Sequence, residues 1–94
     1  PENFELSQNY PNPFNPSTKI DYSLPKSGNV TIKVYDILGN EIRTLVNNVK
    51  QDAGRHTALW DAKDNSKMPV SSGVYFYKMI TGDFSKTMRM ILTK

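Results

Sequence analysis

The chain contains a single histidine, His56, and this limits the chemistry it can perform. A Ser-His-Asp triad needs a histidine as its base, and a His-rich metal site needs several. His56 alternates with Ala58 and Trp60, a spacing that places it at the end of the inward face of a strand. We therefore interpret His56 as a structural residue and predict a domain without catalytic residues or cofactors.

Asp61, Asp64 and Asn65 place three oxygen-bearing side chains in one short segment. Calcium prefers such ligands, so a calcium loop is one interpretation. The spacing does not match the EF-hand pattern D-x-[DN]-x-[DN]-G, and Asp or Asn in a turn commonly hydrogen-bonds its own backbone. We predict no metal site here.

Composition excludes several further classes of function. The 94 residues carry a net charge of +3 that is spread along the chain, which argues against nucleic-acid binding. The absence of cysteine excludes disulfides and thiolate metal sites, and no apolar run is long enough to insert into a membrane. The length predicts one domain, expected to be a monomer. Because the chain opens at Pro1 rather than Met and ends at Lys94, we expect a C-terminal piece of a longer protein.

Apolar residues recur with a period of two at short intervals, which is typical of half-buried β-strands. Turn residues separate these runs, and Gly39-Asn40 and Gly82-Asp83 each predict a hairpin. Gly39 and Gly73 are assigned as turn-shaping residues, and the uneven run at Glu41–Asn48 predicts a bulge. About seven short strands with frequent turns predict an all-β, antiparallel, immunoglobulin-like β-sandwich over residues 1–94.

One face of each predicted strand forms the expected inner layer between the sheets. Its members are Ile20, Tyr22, Leu24, Val30, Ile32, Val34, Trp60, Tyr75, Tyr77, Met88, Met90 and Leu92. Tyr75 and Tyr77 should find backbone partners for their hydroxyls. Tyr35 and Phe76 fall on outward faces, where exposed aromatic rings could bind glycans.

The stretch NYPNPFNPST places Pro11, Pro13 and Pro16 around a lone Phe14. Proline fixes φ and cannot donate to a β-ladder, so this segment is predicted to be stiff and extended. We interpret it as a structural corner between the sheets, with Phe14 closing the end of the core. The alternative is a PxxP ligand for an aromatic groove on a partner.

Five segments together resemble a known family: LSQNYPNPFNPSTKIDYSLP, VTIKVYDILGNEIRTLV, GRHTALWDAKD, SSGVYFYKM and RMILTK. They resemble the type A C-terminal sorting domain of the type IX secretion system, a family similar to the immunoglobulin-like domain of the flagellar hook-capping protein. Two departures concern loops. Trp60-Asp61-Ala62 replaces the commoner Trp-Asp-Gly, and Asn65–Val70 carries Pro69 and lacks a glycine often found there.

The resemblance implies a non-catalytic module that directs a large secreted parent across the outer membrane to the cell surface, after passage through the periplasm. The implied partners are outer-membrane secretion proteins and the parent's N-terminal catalytic or adhesive region. We assign recognition to the last strand, and specifically to Arg89, Met90, Ile91, Leu92 and Lys94. If that strand lies at a sheet edge, a partner could also pair with its backbone. The alternative function is an accessory module that spaces domains or binds glycans in a secreted hydrolase.

Overall fold

The computed structural model describes residues 1–94 and contains seven β-strands and no helix. The strands are β1 (Glu5–Leu6), β2 (Thr18–Leu24), β3 (Gly28–Tyr35), β4 (Glu41–Gln51), β5 (Gly54–Trp60), β6 (Gly73–Thr81) and β7 (Phe84–Leu92). They form a three-stranded sheet in the order β1-β2-β5 and a four-stranded sheet in the order β4-β3-β6-β7. Every strand pair is antiparallel, which confirms the predicted sandwich.

The inner layer is made by the alternating residues that the sequence pattern indicated. Of the twelve predicted members, all are buried except Met88, which is only partly buried against the core. Met88 packs against the core as predicted for an inward-facing residue, but it is less buried than Met90 and Leu92. Leu6, Phe14, Ala58, Ala62 and Met79 complete the core.

Trp60 is fully buried and packs against two other rings. Its centroid lies 5.7 Å from that of Phe14 and 5.3 Å from that of Tyr75, which meets it edge-on. Its indole Nε1 donates to the carbonyl of Lys63 at 2.9 Å, so the polar end of the ring is satisfied. This cluster is the largest concentration of buried aromatic surface in the chain.

The two buried tyrosines use backbone acceptors, as expected. The Tyr75 hydroxyl donates to Ser71 O at 2.7 Å, and the Tyr77 hydroxyl donates to Ser7 O at 2.6 Å. Burial raises the pKa of Tyr77 to about 12, because the phenolate would be poorly solvated in the core. The Tyr75 hydroxyl therefore ties β6 to the segment that precedes it, and the Tyr77 hydroxyl ties β6 to the chain beside the three-stranded sheet.

Both predicted hairpins form. β3 pairs with β4 across residues 36–40, and β6 pairs with β7 across residues 82–83. The β3–β4 register shifts at three places, so β4 carries the irregularity that its broken alternation indicated. Gly39 has φ +85, a conformation that side-chain-bearing residues rarely adopt, which explains glycine at the tip of the β3–β4 hairpin.

The N-terminal segment is mostly irregular, since only Glu5–Leu6 form a strand. Beyond it the chain crosses from one sheet to the other. Tyr10 pairs with Lys19 in the three-stranded sheet, and Phe14 makes a parallel bridge to Leu92 at the end of β7. The peptide bonds before Pro11, Pro13 and Pro16 are cis. The crossing supports the corner interpretation, and the burial of Phe14 leaves its ring inaccessible to the groove of a partner.

Phe14→Ala should lower the free energy of unfolding by about 3 kcal/mol or more, because the ring is 1% exposed and packs on Trp60. Denaturant unfolding of the 94-residue chain measures this loss. Tyr10→Ala is the matched control, since Tyr10 belongs to the same proline-rich stretch but is 72% exposed. It should stay within about 0.5 kcal/mol of the wild type. Equal effects of the two changes would contradict the corner assignment.

Both departures from the family's loop pattern coincide with left-handed backbone. Ala62, where the family commonly has glycine, has φ 61, and Lys67, within the stretch that lacks the usual glycine, has φ 66. The left-handed region is sterically unfavourable for a residue with a Cβ. Ala62 is buried, so its methyl group also contributes packing, whereas the Lys67 side chain is exposed. Both positions thus adopt left-handed backbone with residues that carry a Cβ.

Lys67→Gly should raise the free energy of unfolding by about 0.5 kcal/mol, because relief of left-handed strain exceeds the entropy that glycine adds to the unfolded chain. Ser66→Gly is the control, since Ser66 is exposed in the same turn and is not among the residues with positive φ. It should lower stability by a similar amount. Thermal unfolding of the two variants should therefore move in opposite directions, and parallel shifts would refute the strain assignment.

Candidate recognition surface

Three separate segments meet at one end of the sandwich: the β3–β4 turn, the segment preceding β6, and the last residues of the chain. A depression of about 170 Å³ between the first two is bordered by Ile37, Ser72 and Val74. The amide of Lys94 donates to Ser72 Oγ at 3.0 Å, and its Nζ donates to Val70 O. The residues predicted from sequence at Gly39, Gly73 and Lys94 are therefore brought to the same end of the molecule.

Asp36 fixes the shape of the β3–β4 turn. Its Oδ1 accepts hydrogen bonds from the amides of Leu38 and Asn40, each at 2.9 Å, and its Oδ2 accepts one from the Asn40 side chain. The Asn40 amide, helped by the other donors, holds the pKa of the Asp36 carboxyl below its ordinary value. The turn is thus preorganised by an ionised aspartate.

This turn exposes two large apolar residues that sequence reasoning did not single out. Ile37 is 70% exposed and Leu38 is 82% exposed. Adjacent exposed aliphatic residues at a hairpin tip contribute nothing to the core, and such groups commonly mark contact sites. A signal was present in the sequence, because the alternation of β3 ends at Tyr35 and leaves Ile37-Leu38 inside a turn.

The outer face of the four-stranded sheet adjoins this end. Tyr35, Phe76 and Arg89 lie side by side across β3, β6 and β7, and Val74 lies opposite Ile91. Arg89 is exposed, while the other four are partly buried. Tyr35 and Phe76 do face outward, as predicted, but they form part of an apolar strip beside a cation rather than a fully exposed pair of rings.

β7 lies at the sheet edge, as the strand-addition hypothesis required, but the proline-rich segment covers its second half. The Ile91 amide donates to Asn12 Oδ1 at 3.0 Å, the Phe14 amide donates to Ile91 O at 3.0 Å, and the Thr93 amide donates to Phe14 O at 2.9 Å. Gln8 Nε2 donates to Arg89 O at 2.7 Å. A partner therefore cannot pair with this part of the edge while the segment stays in place.

The five predicted recognition residues separate into two groups. Met90 and Leu92 are buried, in agreement with their alternation, and hold the strand in place. Arg89 and Lys94 are exposed, and Ile91 is partly so. Only these last three present side chains that a partner can touch on the folded domain. Their role in recognition stays a prediction.

The residues considered for catalysis or metal binding have structural contacts. His56 is partly buried, stacks on Tyr22 with centroids 5.4 Å apart, and has its Nε2 2.8 Å from Asp52 O. Asp64 Oδ1 accepts hydrogen bonds from the Ser66 and Met68 amides, at 2.9 and 3.0 Å. Nowhere do three or more His, Cys, Asp or Glu side chains group as metal ligands, and the chain forms no helix that could cross a membrane.

A family model described as "Secretion system C-terminal sorting domain" matches residues 8–93. The chain belongs to this family. The family is that of C-terminal sorting signals for type IX secretion. Among curated proteins, none matches the chain significantly.

Solved structures that resemble this sorting domain include two from Porphyromonas gingivalis. Dimeric latent PorU superposes with a TM-score of 0.75 at 20% identity, over 93% of this chain and 9% of PorU. PorZ, described as an essential bacterial surface component of the type IX secretion system, gives 0.57 at 20% identity, over 99% of this chain and 12% of PorZ. At this identity both establish the fold only.

FlgD from P. aeruginosa is a third similar structure, with a TM-score of 0.62 and 32% identity over 80% of this chain and 58% of FlgD. It agrees with the likeness to the hook-capping family noted from the sequence. The sorting domain thus spans about a tenth of PorU and of PorZ, and less than two thirds of FlgD.

Proposed function

We propose that this domain forms the C-terminal end of a larger secreted protein and directs that parent through the periplasm and across the outer membrane to the cell surface. The observation that carries the proposal is the family match over residues 8–93. Any catalytic or adhesive activity of the parent lies outside this domain. The domain itself acts as a monomeric binding module.

The secretion machinery contacts the end of the sandwich where the hairpin tip and the C-terminal residues meet. This surface combines the exposed Ile37 and Leu38 with the partly buried Ile91 and the cations Arg89 and Lys94. Burial of the apolar side chains against a partner favours binding, because apolar surface leaves water. The cations, which have no acidic partner within the chain, orient an incoming partner and speed association. Neither Arg89 nor Lys94 forms an ion pair within the chain, since the two salt bridges are Lys33–Glu41 and Arg43–Asp61.

Recognition on this surface uses side chains rather than strand addition. Gln8 and the proline-rich segment already bond the backbone of Arg89, Ile91 and Thr93 at the end of β7, and displacing the segment would pull Phe14 from its contact with Trp60. Truncating that ring is itself expected to cost about 3 kcal/mol or more. A partner that reads the side chains of the folded surface avoids this cost.

The 94-residue chain, fused behind a reporter with an ordinary export signal, should deliver the reporter outside a cell that has a type IX machine. Family membership motivates this expectation. Fractionation and immunoblotting measure the reporter in medium, surface and periplasm. The same fusion in a strain lacking the machine should remain in the periplasm. Periplasmic retention in the competent cell would refute the sorting proposal.

The double change Arg89→Glu and Lys94→Glu should abolish delivery while the domain stays folded. Both side chains are exposed, so each change should alter stability by no more than about 0.5 kcal/mol. The matched control is Lys26→Glu with Lys50→Glu, which makes the same change in net charge on exposed lysines of the turn before β3 and the far end of β4. Delivery is scored by the same fractionation, and circular dichroism checks folding.

If the control variant loses delivery to the same extent as the test variant, overall charge rather than this surface controls secretion. If the test variant is delivered normally, Arg89 and Lys94 are not recognition residues, although the sorting function itself would stand. The unmodified fusion tests the sorting function itself, and the double variant tests only the role of Arg89 and Lys94.

A further inference from the structure

The outer face of the three-stranded sheet carries its side chains in three rows across the strands. Directly opposite residues share a face, and the alternate residues Ile20, Tyr22 and Leu24 point into the core. Pairing gives the rows Tyr10–Lys19–Leu59, Ser7–Asp21–Thr57 and Glu5–Ser23–Arg55. The first row has apolar ends, the middle row is rich in hydroxyls, and the third places opposite charges on either side of a serine.

The middle and third rows line a polar groove of about 330 Å³. Ser23 is only 8% exposed and lies at its floor between Glu5 and Arg55, which stand about 10 Å apart across two strand spacings. The side chains of Glu5, Ser23 and Arg55 form no hydrogen bond or ion pair within the chain. Among the residues of these two rows, the one side-chain hydrogen bond joins Thr57 Oγ1 to Asp21 Oδ1 at 2.7 Å, and the inward-facing Tyr22 and His56, which also line the groove, bond to Gln51 and Asp52. The side chains of Glu5, Ser23 and Arg55 are therefore free for a ligand.

A second, very shallow apolar concavity adjoins the groove along β2. Tyr10, Pro11 and Leu59 border it together with Lys19. Tyr10 and Leu59 are 72% and 71% exposed, so two large apolar side chains face solvent on the same row. Lys19 and Asp21 are two residues apart on β2, which places this row roughly 7 Å from the groove. One ligand could therefore span both concavities.

We propose that this face binds an uncharged oligosaccharide. A sugar chain presents vicinal hydroxyls, which carboxylates and guanidinium groups can bind in pairs, and apolar C–H faces, which can lie against an aromatic ring such as Tyr10. The cations Lys19 and Arg55 balance the carboxylates of Glu5 and Asp21, so the face does not favour a polyanion. An extended peptide adding by backbone pairing would need a sheet edge, whereas these concavities lie on the face.

The test is titration of the ¹⁵N-labelled 94-residue chain with uncharged hexasaccharides: cellohexaose, maltohexaose, xylohexaose, mannohexaose and chitohexaose. At least one should shift the amide signals of Tyr10, Asp21 and Thr57 saturably. Absence of shifts with all five at about 10 mM, a concentration that reveals even millimolar binding, would overturn the proposal. Shifts produced only by a sulfated heparin hexasaccharide would overturn it too.

Variants locate the binding. Tyr10→Ala and Arg55→Ala should each weaken the affinity for the active sugar by about tenfold, since each removes one side of the face. Both side chains are exposed, so the fold should persist. Tyr35→Ala on the opposite sheet is the matched control and should leave affinity unchanged. Affinity that follows Tyr35 rather than Tyr10 would assign binding to the other face and reject this one.

Discussion

The position of Phe14 determines how the rest of this domain closes. Its ring packs on Trp60 of the three-stranded sheet, while its backbone accepts from Thr93 and donates to Ile91 at the edge of the four-stranded sheet. A single residue thus joins both sheets and fixes the proline-rich segment along β7. Because prolines restrict the flanking chain before folding, little additional entropy is lost when the segment takes this place.

By anchoring the proline-rich segment along β7, Phe14 also limits where a partner can bind. An exposed edge strand offers unpaired amides and carbonyls to any other strand, and natural proteins commonly cover such edges. Here the cover extends over the second half of β7, which is where the sequence alone suggested strand addition. At this end of the sandwich a partner is therefore left with side chains instead of backbone.

The elements that depend on local pattern could be predicted, and those that depend on distant contacts could not. Alternation placed Trp60, Tyr75 and Tyr77 in the core, and glycine-containing turns located both hairpins. The shortness of β1 and the partial exposure of Met88 arise from how the sheet margins meet. Of the candidate surface, the charges at its C-terminal end were foreseen. The contribution of Ile37 and Leu38 was not, because exposure depends on which turn residues the core leaves outside.

A signal at the C-terminal end of this domain depends on tertiary structure. Lys94 is held by Ser72 and Val70, from the segment before β6, and Arg89 projects from a strand fixed by the buried Met90 and Leu92. Ile37 and Leu38 reach the same end only through a turn organised by Asp36. In an unfolded chain Ile37 and Leu38 are separated from Arg89 and Lys94 by more than fifty residues and share no surface with them. If the secretion machinery reads this combination, as we propose, it reads the folded state of the domain and not a linear C-terminal motif.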